Sequence, residues 1–449
     1  MLSKRNPVNP EQDEPNPYQR YLDCARNQDE NRMGYPLTGS INGFFSTTGW
    51  HKSNSSGRLI DQRSLGISRG SISDTLILNI GDPEPSRNDA TTRHAKGLYY
   101  PEVIENEVIS MLASHCGATN DQLKGYVTSG GTEANLACVW WLRNYLTSHQ
   151  QPASVVLYTS DQSHYSCAKV CQILNIELVT IKSLPTGQID PASLTEKLSH
   201  HMQIQPQRPM IIWLNAGTTV LGAVDDLVKI NKIIQQEIKN KNGLCVTHLD
   251  GAILGVTLPL VYPEYQNLFQ LTDSLSISGH KLLATTLACG VALVKRDILV
   301  KAFSSKDISV GYVHGIKDIT ISGGRSALPI FQLHLSLKKF GFDKKSDNFK
   351  KLIHTSLKNA KFLANAMKSL VGDDKVIYNP NQFNVIFPLT MPQETADTLM
   401  EKYTLMPLPD NKVCITVFPN VDSQLICNFI DDYRAILNEK NRSQIRARL

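Results

Sequence analysis

The 449-residue chain holds nine cysteines, yet no two of them form a Cys-x-x-Cys pair. That scatter excludes a zinc ribbon and supplies no disulfide framework. No apolar run is long enough to span a bilayer. The opening residues, Met1-Leu2-Ser3-Lys4-Arg5-Asn6-Pro7, lack the apolar core of a secretory signal. Reduced thiols in a cytoplasm are therefore expected. Aromatic residues are only 7% of the chain, and no glycine-and-aromatic RNA motif or zinc-finger spacing accompanies the formal charge of +5. The lysine pairs Lys338-Lys339, Lys344-Lys345 and Lys350-Lys351, with the tail from Lys440 to Arg448, read instead as solvated helix faces and a basic end. Neither a nucleic acid nor a membrane is expected as a partner, and no metal-ligand spacing occurs. What remains is ordinary: 41% hydrophobic, 19% charged, mean hydropathy −0.21. Such a chain is globular and long enough for a large core.

Residues 1–75 are rich in Asn, Gln, Ser and Gly and read as an N-terminal arm and polar loop. Apolar spacing predicts helices over 97–118 and 132–146. Strands and helices then alternate. Strands are expected over 154–158, 177–182, 210–215, 244–250, 274–278 and 291–295, with helices over 165–174, 191–199 and 227–239. That alternation predicts an α/β chain with a large, mostly parallel sheet, and a large domain over 76–327. Ligands collect at the carboxyl ends of strands in such sheets. Asn215, Asp250 and Ser278 fall there. Past Leu328 the texture changes to helices over 329–339, 348–370 and 423–437 with strands over 383–387 and 412–417. These predict a smaller C-terminal α/β domain over 328–449.

Lys281 is the most informative residue. It ends the run Ser276-Ile277-Ser278-Gly279-His280-Lys281, one strand after a run that closes on Asp250-Gly251-Ala252. A lysine amine can capture an aldehyde cofactor, and a carboxylate can hold a pyridinium nitrogen protonated. Alone, such a lysine is a surface residue more often than not, while for a buried Asp250 an ordinary salt bridge is the lesser alternative. Ser129-Gly130-Gly131-Thr132-Glu133-Ala134-Asn135 opens a helix, and two glycines let an anion approach its N-terminus. A plain loop with Thr132 as helix cap fits equally well. His164 suits a ring stacked on a flat cofactor, or a simple capping role. Thr218, after Gly217, could bond a ring oxygen or merely close a turn.

In this order the motifs resemble the group II pyridoxal-phosphate-dependent amino-acid decarboxylases. The similarity is greatest to their bacterial histidine decarboxylase and plant serine decarboxylase branch. Gly81-Asp82-Pro83, His164-Tyr165-Ser166 and Gly217-Thr218-Thr219-Val220 belong to the same likeness, which spans residues 79–325. The resemblance implies an aspartate-aminotransferase-like fold (fold type I) working as a homodimer with shared active sites. It implies pyridoxal 5'-phosphate as cofactor, anchored on Lys281, with Asp250 at the pyridine nitrogen and His164 stacked on the ring. Thr218 would lie near the ring hydroxyl, and Ala252 would also contact the cofactor. Gly131, Thr132, Ser278 and His280 would surround the phosphate. Gly323, Gly324 and Arg325 would approach the partner's cofactor. Tyr312, in a glycine-punctuated stretch, would return a proton to the substrate carbon, with His164 as the competing donor.

The implied reaction is α-decarboxylation of an amino acid to amine and carbon dioxide, histidine being the first expectation and serine or another small polar amino acid the next. A transaminase or carbon–sulfur lyase, and a non-catalytic cofactor-binding protein, are the alternatives. Two departures from the branch bear on this. Ser326-Ala327-Leu328 follows Arg325 where the branch continues differently, and the segment from Gly43 to Ser73 is unusually long and polar.

Overall fold

The computed structural model describes residues 101–148, 154–304, 309–310, 316–344 and 346–446. The 1–75 arm, Gly81-Asp82-Pro83 and Tyr312 lie outside the described residues. Helix α1 (Pro101–His115) leads into β1 (Leu123–Thr128) and α2 (Gly131–Ser148). Then come β2 (Val156–Ser160), α3 (Ser166–Leu174), β3 (Glu177–Ile181), α4 (Pro191–Ile204) and β4 (Met210–Asn215). They are followed by α5 (Leu227–Glu237), β5 (Cys245–Asp250), β6 (Ser274–Ser278), β7 (Gly290–Lys295) and α6 (Arg296–Ala302). All these strands form one seven-stranded sheet in the order β1-β7-β6-β5-β4-β2-β3.

Local chemistry sets the element ends. Every residue of β4, β5 and β6 is buried, as expected of strands covered on both faces. The Asp190 carboxylate accepts the Ala192 N–H at 2.9 Å ahead of α4, with Pro191 in the first turn. Asp226 accepts the Lys229 N–H at 2.9 Å and starts α5 in the same way. Helix α3 stops at Asn175, which adopts a left-handed conformation.

The sheet is mostly parallel as expected, and it holds one strand that the sequence did not announce. Strand β1 was not among the expected strands, because Lys124 and Gly125 interrupt its apolar run. The glycine is required: a Cβ there would lie 2.1 Å from the Ala292 carbonyl on β7. Strand β7 also runs antiparallel to both its neighbours, β6 and β1. The remaining pairs are parallel.

A two-stranded ribbon, β8 (Ser309–Val310) with β9 (Ile316–Lys317), precedes α7 (Leu328–Phe340) and α8 (Asn348–Val371). A second sheet, in the order β10-β12-β11, joins β10 (Asn384–Pro388), β11 (Met406–Leu408) and β12 (Lys412–Thr416). Helices α9 (Gln393–Tyr403) and α10 (Ser423–Arg446) complete it. Helix α9 and β11 escaped sequence reading, α9 through its polar composition and β11 through its brevity and Pro407. This sheet has its own core, which includes Leu363, Met367, Phe387, Phe429 and Tyr433. It also braces the larger sheet: Asn384 Nδ2 donates to the carbonyls of Thr219 and Val220 at 3.0 and 2.8 Å.

Candidate active site

The register brings β4, β5 and β6 to a common end, where Asn215 pairs with Asp250 and Asp250 with Ser276. A cavity of about 400 Å³ opens there. Its lining includes Gly131, Thr132, His164, Thr218, Asp250, Ala252, Ser278, His280 and Lys281. Nine expected site residues, dispersed over 150 positions of sequence, thus share one space.

The glycine turn joins β1 to α2. The first bond of the helix is Ala134 N–H to the Gly130 carbonyl at 3.0 Å, so the amides of Gly131, Thr132 and Glu133 precede the helical ladder. Space for this turn depends on missing side chains. A Cβ on Gly131 would lie 2.6 Å from Ser278 Oγ, and one on Gly290 would lie 2.6 Å from the Gly130 carbonyl. Glu133 secures the turn from behind. Its carboxylate accepts the Ser129 N–H at 3.0 Å, and also the hydroxyls of Ser129, Ser322 and Tyr126. That reach back across the first turn follows capping-box logic.

Asp250 is 8% exposed. Its Oδ1 accepts the Ala252 N–H at 3.1 Å, and its Oδ2 accepts from Asn135 Nδ2 at 3.0 Å. Asn135 in turn accepts from Ser276 Oγ at 2.5 Å and from His248 Nε2 at 3.0 Å. Burial drives the His248 ring down to about 4, so it stays neutral. His164 Nδ1 accepts from Ser166, from Oγ at 2.8 Å and N–H at 3.2 Å. Partial burial lowers the His164 imidazole, opposed by Asp250 and aided by Lys281. Burial likewise lowers the Lys281 ammonium below its usual range, with Asp250 working against the fall. A lysine in that state has a larger neutral, nucleophilic fraction.

Thr218 is fixed by its own turn. Its Oγ1 accepts the Ala223 N–H at 3.0 Å, and Gly217 and Gly222 on either side take positive φ. Burial also lowers His280, whose Nδ1 lies 3.0 Å from the Cys289 carbonyl. Tyr165, beside His164 with ring centroids 4.2 Å apart, is 66% exposed and lines the cavity too.

Arg325 does not join this space. It is 7% exposed and makes a two-armed ion pair with Glu105, and its Nη1 also donates to the Val127 carbonyl at 3.0 Å. Gly323 takes positive φ and Gly324 is exposed beside it. Sequence reading missed Glu133 and His248 altogether and gave Asn135 only a place in the first helical turn. The partners of Asn135 lie 31 to 141 positions away, beyond any local pattern.

Together these residues offer an anion cradle, a buried carboxylate with an open side, a planar ring and a depressed amine. A phosphorylated aromatic aldehyde suits that set, with the space at Gly131 kept free for its anion. The large, mostly parallel sheet matches the fold type I architecture. Among solved structures, L-methionine decarboxylase from Streptomyces sp. 590 superposes with a TM-score of 0.67 at 18% identity, covering 92% of each chain. Glutamate decarboxylase from Lactobacillus brevis gives 0.66 at 17%, covering 98% of this chain and 96% of that one.

Residues 99–390 match the pyridoxal-dependent decarboxylase conserved domain. The chain belongs to this family: it is a pyridoxal-phosphate-dependent amino-acid decarboxylase. Histidine decarboxylase from Pseudomonas entomophila (strain L48) is 28% identical over 331 residues, 73% of this chain and 75% of that protein. Histidine decarboxylase from Solanum lycopersicum is 29% identical over 368 residues, 81% and 79% of the two chains.

Proposed function

We propose that the enzyme decarboxylates L-histidine to histamine, with Lys281, Asp250, His164 and Tyr312 as its catalytic residues. The observation that carries the site assignment is the single cavity shared by Asp250, His164, Lys281 and the Gly130-Gly131 turn. The choice of substrate is supported by the histidine decarboxylases among its relatives.

Pyridoxal phosphate, when bound, supplies an aldehyde that captures amines and a ring that accepts the electron pair left by departing carbon dioxide. Lys281, whose amine burial makes more nucleophilic, would be the residue that anchors the aldehyde. Asp250 would stabilise positive charge at the ring nitrogen. His164 would cover one face of the ring, and Thr218 and Ala252 line the same cavity beside it. The turn at Gly131 and Thr132, with Ser278 and His280, would hold the phosphate. Tyr312 would supply the proton to the α-carbon.

A homodimer with shared sites fits the Ser322–Gly324 turn, exposed at Ser322 and Gly324, which Glu133 ties to the cradle. Arg325 then supports that turn from inside its own subunit. Among the described residues no helix is long and apolar enough to cross a membrane. The eight described cysteines are free thiols, which supports a cytoplasmic setting. A panel of amino acids scored for amine and carbon dioxide tests the reading. Histamine from histidine is expected to dominate. A dominant product from serine or another small amino acid would replace the substrate, and a keto acid would replace the reaction.

A further inference from the structure

We infer that Asn135 is a positioning residue that sets two groups at once, the orientation of Asp250 and the tautomer of His164. The inference rests on the proposed reading of those two groups as cofactor-facing.

Asn135 is 1% exposed, and its amide spends every hydrogen-bonding position it has. Nδ2 donates to Asp250 Oδ2 at 3.0 Å and to Ser166 Oγ at 3.1 Å. Oδ1 accepts from Ser276 Oγ at 2.5 Å and from His248 Nε2 at 3.0 Å. The direction of the network is forced. An ionised carboxylate only accepts, so the amide nitrogen must face Asp250. Ser166 Oγ, accepting from that nitrogen, turns its own proton to His164 Nδ1 at 2.8 Å. The Ser166 N–H reaches the same ring nitrogen at 3.2 Å. His164 Nδ1 is therefore an acceptor, and the neutral ring carries its proton on Nε2. On the far side, His248 must hold its proton on Nε2 to donate to Asn135, and it accepts from Ser274 Oγ at 2.9 Å through Nδ1. A neutral His248 supplies a donor there without adding a charge beneath Asp250.

No other side chain of this size fills the position. Aspartate lacks the donor that Asp250 and Ser166 need. Leucine leaves His248 and Ser276 without an acceptor, and glutamine is one methylene too long for a fully buried slot.

The test is a double-mutant cycle on the holoenzyme, using Asn135→Asp, Asp250→Asn and the pair. The readouts are the dissociation constant of pyridoxal phosphate from its near-visible band, kcat and KM, and the melting temperature. Asn135→Asp alone should weaken cofactor binding and kcat by about tenfold or more, through two lost buried donor bonds. KM should change much less, as expected when binding of substrate itself is untouched. In the Asp250→Asn background the same substitution should add about twofold or less. Equal losses in both backgrounds would show that Asn135 only packs the core and would overturn the inference. If Asp250→Asn alone behaves like the wild type, the reading of Asp250 fails first and takes this inference with it. A second readout concerns the ring directly. In protein labelled with ¹⁵N-histidine, the His164 signals, assigned by their loss in His164→Gln, should show an unprotonated Nδ1. Ser166→Ala and Asn135→Asp should both shift that ring toward a tautomer mixture, and an unmoved tautomer in both would overturn the His164 half.

Discussion

Two buried carboxylates flank Asn215, and they have opposite surroundings. Asp250 pairs with Asn215 across the sheet register and lines the cavity. Its donors are one backbone N–H and the side chains of Asn135 and Ser276. Asp225 is fully buried and accepts the N–H of Ile189 and Asn215 at 2.7 Å each, with Asn215 Nδ2 at 3.1 Å. It pins the Gly217–Val224 turn and the Ile189 segment to the end of β4. Burial of a carboxylate is thus no sign of function in itself. A polypeptide that uses backbone donors on both oxygens has made a structural pin. One that supplies side-chain donors, and leaves an open side on a cavity, has made a site.

Substitutions separate the two roles, and the largest effects fall on the cavity side. Lys281→Ala should remove the near-visible absorption of the bound cofactor and cut turnover by about 10³-fold or more, the scale seen when a covalent group is deleted. A persisting band would move the anchor elsewhere. Asp250→Asn should lower kcat by about 10²–10³-fold, as for loss of a pre-organised charge, while the fold survives. Asp225→Asn should do the reverse. It keeps the cofactor band but costs about 1–3 kcal/mol in a denaturant titration, because an amide cannot satisfy donors on both sides. If both aspartate variants lost cofactor and stability alike, the contrast between pin and site would collapse. Tyr312→Phe sharpens the contrast from a third direction. It should slow decarboxylation by about 10²-fold with the band intact, which unchanged turnover would disprove.

How much of this was legible depended on the range of each interaction. The strand ends at Asn215, Asp250 and Ser278 were visible because buried parallel strands are short apolar runs closed by polar residues. The glycine turn was visible because two glycines before a helix leave a local mark. Strand β1 was hidden by Lys124 and Gly125, although Gly125 is what allows its close pairing with β7. The antiparallel course of β7 was hidden because nothing in Gly290–Lys295 encodes direction. Asn135 and Glu133 were hidden for a third reason. Each sits in a first helical turn where Asn and Glu are common, and only the fold delivers Asp250, His248 and Ser322 to them. Arg325 shows the converse. Its motif position implied a place near a partner's cofactor, and within this chain the fold gives it a buried partner, Glu105, 220 positions away.

The smallest expected effect tests the same contrast through pH. Burial raises the Asp225 carboxyl to about 6, against about 3.9 for an unperturbed aspartate. Such a group binds its proton more tightly folded than unfolded. Its protonated form therefore adds stability that is complete below about pH 3.9 and is lost as pH rises through about 6. Asp225→Asn cannot titrate, so the stability advantage of the wild type over this variant should shrink with rising pH. The change has a ceiling of about 3 kcal/mol, from 1.36 kcal/mol per pH unit. Denaturant midpoints of the two proteins from pH 4.5 to 7 read the difference directly, since all other titrations cancel between them. An advantage that grows with pH would mean that the three N–H donors outweigh burial and hold Asp225 ionised. The pin would then be an anion stabilised by two backbone N–H groups and the Asn215 amide, and the two carboxylates would differ only in what faces them.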